Sequence, residues 1–201
     1  ELAPVESYAA LKQPLDERPL GGFGGVSEYG ITVRWDKNFL RVIALTLARR
    51  ENFRMFGGVR FGGTVDAEEA FAMGFDHVAV AAGAGRPTIG GMTNNMIRGI
   101  RQASDCLMAL QLTGAFKKNG FANLQAELPA VVIGGGLTAI DTATELLAYY
   151  VVQIEKTLER FRVLESEKGA TEIRAMFDDE EWEMLQRHLE HAKELEDERE
   201  K

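Results

Sequence analysis

The residue spacing with the most chemical content in this 201-residue chain lies between Gly134 and Ala139. Gly134, Gly135, Gly136, Leu137, Thr138 and Ala139 read as G-x-G-x-x-A, directly after the β-branched run Val131, Val132, Ile133. Ile140, Ala143, Thr144 and Leu147 then recur at helical spacing. A buried strand, a glycine turn and a helix in that order form the pattern that holds a dinucleotide pyrophosphate. Gly134 permits the tight turn, Gly136 lets backbone approach the phosphates, and Ala139 lets the helix pack closely on the strand. The N–H groups of the helix N-terminus, around Thr138, would face the anion. The plain alternative is a strand-to-helix turn with no ligand.

Other chemistry-bearing residues are sparse. VAVAAGAGRP reads as a second buried strand, Val78–Ala82, that runs into Gly83, Ala84 and Gly85. Small residues at the end of such a strand let a ligand lie against backbone. His77, at the start of that strand, reads as structural or solvent-facing. Cys106 is the single cysteine, so an intrachain disulfide framework, a Cys-x-x-Cys redox pair and an iron–sulfur ligand set are excluded within the chain. Within DCLMAL it reads as a buried, inert thiol. His188 and His191 stand three apart in a helical pattern with glutamate neighbours, a spacing compatible with a metal; the reading favoured is an exposed pair, with no metal site. No residue reads as a catalytic acid, base or nucleophile.

The elements that must position these residues follow from pattern. Hydrophobic residues make up 45% and charged residues 27%, a globular composition. The net charge of -8 argues against binding nucleic acid, which needs clustered lysine and arginine. No signal peptide and no apolar run of about 18 residues is found, so no membrane segment is expected and the location reads as cytoplasmic. Pro4, Pro14 and Pro19 make residues 1–20 irregular. Gly21, Gly22, Gly24 and Gly25 form either a close-approach turn or a surface loop. Asp36 suits the N-cap of a helix over about 37–50 with Leu40, Ile43 and Leu47 on its buried stripe. FRMFGGVRF reads as a strand or hairpin, and Asp66 with Glu69 as a capping box for a helix ending near Gly74. A helix over about 102–112 buries Ala103, Leu107 and Leu110, and a turn-rich connector leads to Leu128.

Past Leu147 a helical period continues through Val151, Ile154, Leu158 and Phe161 until Gly169. A nucleotide-binding unit should instead return to another strand bearing the ribose-reading acid. Glu155 lies at about the right distance but inside a helix, and is rejected. Asp178 or Asp179 caps a last helix with the stripe Trp182, Leu185, Leu189, Ala192 and Leu195. That stripe is expected to pair with the preceding helix in the same chain.

LGGFGGVSEYGITVRWDKNFLRVI, VAVAAGAGRP and VVIGGGLTAIDTA, in that order, resemble flavin- and NAD(P)H-dependent oxidoreductases of the glutamate synthase small-subunit type. The resemblance covers about residues 20–147. It implies an α/β fold of incomplete Rossmann-like units. Residues 1–20 would be a lead-in, 21–125 the remainder of an FAD-binding-like domain, 126–150 the start of an NAD(P)H-binding unit, and 151–201 a helical insertion or tail. Gly83, Ala84 and Gly85 would match the loop beside the flavin nucleotide. Gly134, Gly135, Gly136, Thr138 and Ala139 would match the NAD(P)H turn, and Asp141 an acidic position near the nicotinamide; a simple interaction with the helix N-terminus is the other reading of Asp141. The family's first glycine fingerprint, its ribose-reading strand and its closing FAD segment are missing. The implied function is therefore that of a fragment: NAD(P)H would reduce FAD, and the flavin an iron–sulfur or protein acceptor, in an intact parent. The isolated chain is expected to retain no FAD. The alternative is a non-catalytic interaction module with a degenerate nucleotide-binding fold and a helical docking surface. Self-association into a homo-oligomer is a secondary expectation.

Overall fold

The computed structural model describes residues 39–83, 87 and 89–201, which fall into two compact units divided between Gln102 and Ala103. The expectations for residues 1–38, and those for Ala84 and Gly85, lie outside the described residues.

In the first unit, α1 (Phe39–Ala48) occupies the expected helical stretch. Ile43 and Leu47 are exposed, as are Val42 and Leu45, so the proposed stripe is not covered within this unit. The second helix, α2 (Ala67–Ala72), starts where its cap dictates. The Glu69 N–H donates to Asp66 Oδ1 at 2.9 Å, and the Asp66 N–H donates back to Glu69 Oε2 at 3.0 Å. Each bond satisfies a donor that the first helical turn would otherwise leave open. Gly74 follows in the left-handed region, φ +94°, where a side chain would be strained. Among the described residues of this unit, Ala70 alone is a buried hydrophobe. FRMFGGVRF forms no hairpin; its pairing amounts to an isolated bridge between Phe61 and Val65.

The second unit is built around one long helix. α3 (Ala103–Leu112) buries Cys106, Leu107 and Leu110, as its pattern predicts. α4 (Leu137–Lys168) runs for 32 residues and stops at Gly169, φ +78°. After the short α5 (Ala170–Arg174), Asp178 caps α6 (Asp179–Glu200) through a second reciprocal box with Glu181, at 2.7 and 3.1 Å. α4 carries cores on two sides. One joins Tyr150, Ile154 and Leu158 to Leu189 and Ala192 of α6, with Leu128, Phe161, Leu185 and Leu195 around them. The other joins Tyr149 to Leu110 of α3 and to Ala115 and Phe116 of the connector. The expected pairing of the last helix with its predecessor is thus present.

The α/β expectation is corrected. Among the described residues there is no strand and no sheet, only helices, turns and extended chain. Val131–Ile133 and Val78–Ala82 have no ladder partner, and Val131 and Ile133 are 88% and 75% exposed. A buried parallel strand must exchange hydrogen bonds with neighbours and be covered on both faces. Neither condition is met.

Candidate functional site

The densest array of polar side chains lies along the face of α4 that meets the connector. Glu145, Tyr149, Gln153, Lys156 and Arg160 follow one another at intervals of four, four, three and four, which places them on one helical face. The first four are buried. Gln111 Nε2 donates to Glu145 Oε2 at 3.2 Å. The Tyr149 hydroxyl donates to Asn123 Oδ1 at 2.9 Å and accepts from the Leu124 N–H at 2.7 Å. Gln153 grips Ala126 twice: Oε1 accepts from its N–H at 2.6 Å, and Nε2 donates to its carbonyl at 2.8 Å. Lys156 Nζ donates to the carbonyls of Ala115 and Ala122 at 2.9 and 3.0 Å, and Arg160 to that of Gly120 at 2.5 Å. Burial pulls the Lys156 ammonium down to about 8, with the Arg160 charge adding to it. An irregular connector has backbone groups that neither helix nor sheet satisfies, and α4 supplies the partners. This seam binds the chain's own backbone, so its chemistry is positional. Apolar periodicity does not reveal it; the signal in the sequence is polar residues recurring at helical spacing.

A second cluster joins α4, α6 and the connector. His188 is 6% exposed, with Nε2 at 3.1 Å from the Ala126 carbonyl and 3.2 Å from Gln153 Nε2. His191 Nδ1 shares a 2.6 Å hydrogen bond with the Tyr150 hydroxyl, and both histidines meet the Tyr150 ring edge-on. Arg187 is tied to both oxygens of Glu127 at 3.0 and 3.1 Å. The expectation of an exposed pair is therefore corrected: both histidines are engaged with α4 or the connector. No group of three or more metal-ligating residues occurs among the described residues.

Burial holds the His188 imidazole below its ordinary value, against the raising effects of the Ala126 carbonyl and Glu127; His191 and Arg187 act with burial. A depressed histidine is neutral in the folded chain while the unfolded chain takes up a proton, so stability is lost as pH falls below about 6.5. Thermal midpoints between pH 7.5 and 5 are expected to fall for the native chain. They should fall less for His188→Gln. An equal fall in both would show that His188 is not the group responsible.

The residues singled out for nucleotide binding are placed as follows. Gly134 is in the left-handed half of the map, φ +143°, and a Cβ there would lie 3.3 Å from the Ala139 Cβ. The strand on which Ala139 is expected to pack does not form among the described residues; Gly134 is its near neighbour instead. Gly135 and Gly136 are exposed, and Gly136 is the N-cap of α4, where its carbonyl accepts from the Ala139 and Ile140 N–H groups. Thr138 is exposed, and its carbonyl accepts from the Thr142 hydroxyl at 2.7 Å. Asp141 lies past the first turn of α4 and is buried. Glu155 pairs with Arg199 on α6. In the other unit Gly83 has φ +70°, and Phe61 with Val78–Ala82 lines an open groove of about 270 Å³. Gly83 belongs to the first unit and Gly134–Asp141 to the second.

One face of α4 near its start carries Ile140, Thr144 and Leu147. Ile140 and Leu147 are exposed, as are Leu137, Val131 and Ile133 before them. Between Pro129 and Gln153 the charged residues are Asp141 and Glu145, and both point inward. The usual arrangement of apolar inside and charged outside is reversed over this stretch.

No helix among the described residues is long and apolar enough to cross a membrane. No family model matches the chain, and no solved structure matches it. The chain is similar to an uncharacterized protein of Rickettsia prowazekii (strain Madrid E), with 44% identity over 190 residues, 94% of this chain and 25% of that protein. It therefore spans about a quarter of the length of this relative. These findings, with the absence of any strand among the described residues, correct the resemblance to glutamate synthase-type flavoproteins. The description as a Rossmann oxidoreductase for electron transfer goes with it, because a Rossmann unit is defined by the parallel sheet that these residues do not form.

Proposed function

We propose that the chain is a non-catalytic interaction module whose docking surface is the uncharged face formed by Val131, Ile133, Leu137, Ile140 and Leu147. The observation that carries this reading is the reversal on α4: exposed apolar side chains outside, Asp141 and Glu145 inside. Contiguous exposed apolar surface on a water-soluble domain marks a place where another surface sits. The polar seam supports the same role, because it anchors α4 to the connector and holds the face rigid. The first unit adds weight. α1 exposes Val42, Ile43, Leu45 and Leu47, and a helix apolar on most sides belongs inside something larger.

The test is Ile140→Asp. An open face predicts a change in unfolding free energy within about 0.5 kcal/mol, the range of an ordinary surface substitution, together with reduced binding of a hydrophobic dye. A loss above about 2 kcal/mol would mean that Ile140 is packed within the chain, and the docking reading would fall.

A further inference from the structure

Three successive residues of the connector are fastened to α6. The Gln125 amide donates to the Met184 sulfur, the Ala126 carbonyl meets His188 Nε2 at 3.1 Å, and Arg187 donates to both oxygens of Glu127. Met184 lies three and four residues before Arg187 and His188, so the three share one side of α6. Leu128 then packs against the core that α4 and α6 share, and Gln153 of α4 holds Ala126 from the other side. Residues 125–128 thus form a strap across both helices. Gln125 and Glu127 are exposed, while His188 is buried. The charged and titratable groups facing His188 are Glu127 of the strap, Tyr150 of α4, and Arg187 and His191 of α6.

We propose that residues 125–128 are an acid-released strap: a proton on His188 lifts them from α6 while α4 and α6 stay packed on each other. Glu127 favours that proton but is already shared with Arg187, and burial, His191 and Arg187 all oppose it. A charged imidazole in this place has to be reached by water. Lifting the strap admits water at the loss of a few hydrogen bonds and the Leu128 contact. Parting the helices would instead expose Ile154, Leu158, Leu189 and Ala192, a far larger apolar area. The strap is therefore the part that yields. Once lifted, it leaves the ring at its ordinary value near 6.5. Opening then takes up a proton, so it is favoured as pH falls below that value and reversed as pH rises.

Amide hydrogen exchange of the 201-residue chain, followed by NMR between pH 7.5 and 5.5 and corrected for the intrinsic pH dependence of exchange, tests the strap. The Ala126 N–H, which donates to Gln153 Oε1, reports on the strap, and the Leu189 N–H within α6 reports on the helix. The opening constant at Ala126 is expected to rise as pH falls below about 6.5, by up to about tenfold at pH 5.5, the most that one proton gives over that unit. Leu189 should not follow it. In His188→Gln the rise at Ala126 should vanish. An Ala126 amide indifferent to pH overturns the inference, as does an equal rise in His188→Gln. An equal rise at Leu189 also overturns it, because α6 would then be opening as a whole. Should His188→Gln fail to fold, the comparison of Ala126 with Leu189 in the native chain decides alone.

Discussion

Replacing Leu185 and Leu189 together by aspartate is expected to abolish the cooperative thermal transition of the second unit. Leu189 is buried against Tyr150, Ile154, Leu158 and Ala192, and Leu185 packs at the edge of the same cluster. Truncating one buried leucine costs about 2–5 kcal/mol. A carboxylate in its place adds a desolvation cost of several kcal/mol, because this cluster offers it no cation. Set against a total stability of about 5–15 kcal/mol, the pair removes most of what holds the helices together. Far-UV circular dichroism should show weakened helicity and a flattened melt, while Val163→Asp on the exposed side of α4 should melt like the native chain. A double variant with native helicity and midpoint would mean that α6 does not pack on α4.

The second large effect is expected from a single methyl group. A Cβ at Gly120 would lie 2.4 Å from the Gly114 carbonyl oxygen and 3.1 Å from that of Lys117. Both atoms are backbone, and both are held by the turn's own hydrogen bonds: the Lys117 N–H donates to Gly114 at 3.0 Å and the Gly120 N–H to Lys117 at 3.1 Å. The turn cannot relax locally without losing them. Arg160 would also be drawn from the Gly120 carbonyl and Lys156 from that of Ala122. Gly120→Ala should therefore cost about 3 kcal/mol, the upper range for overpacking, read as a lower urea midpoint. Gly135→Ala, where a Cβ meets nothing within 4 Å, should change stability by no more than about 0.5 kcal/mol. Equal behaviour of the two variants would remove the steric argument.

Helix caps are legible in the sequence because cap and partner are a few residues apart, whereas the glycine signal of FRMFGGVRF, equally local, forms no hairpin. The capping pair Asp66–Glu69 and the cap at Asp178 sit within four residues of their partners, and sequence spacing alone specifies them. Gly74 and Gly169 end helices because each takes a positive φ. The stripe of the last helix and the run before Gly169 each announce a face in need of cover: Leu185, Leu189, Ala192 and Leu195 meet Ile154, Leu158 and Phe161, while Trp182 meets Phe177 and Arg174. The buried thiol of Cys106 follows from its place in α3.

What the sequence could not determine is whether an apolar run has a neighbour. Val131–Ile133 and Val78–Ala82 have the composition of buried strands, yet a strand exists only through hydrogen bonds to another segment. Tertiary structure decided against it, and with it against the nucleotide fold inferred from Gly134–Ala139. Tertiary structure also decided which side of α4 is covered. Ile140 and Leu147 are exposed, while Gln153 and Lys156 are buried where they satisfy the connector's backbone and Glu145 is buried against Gln111 of α3. His188 and His191 moved inward for a related reason, as ring nitrogens that reach a carbonyl and a hydroxyl. Periodicity records which side chains share a face; only the folded chain shows which face finds a partner, because that depends on backbone groups far away in sequence.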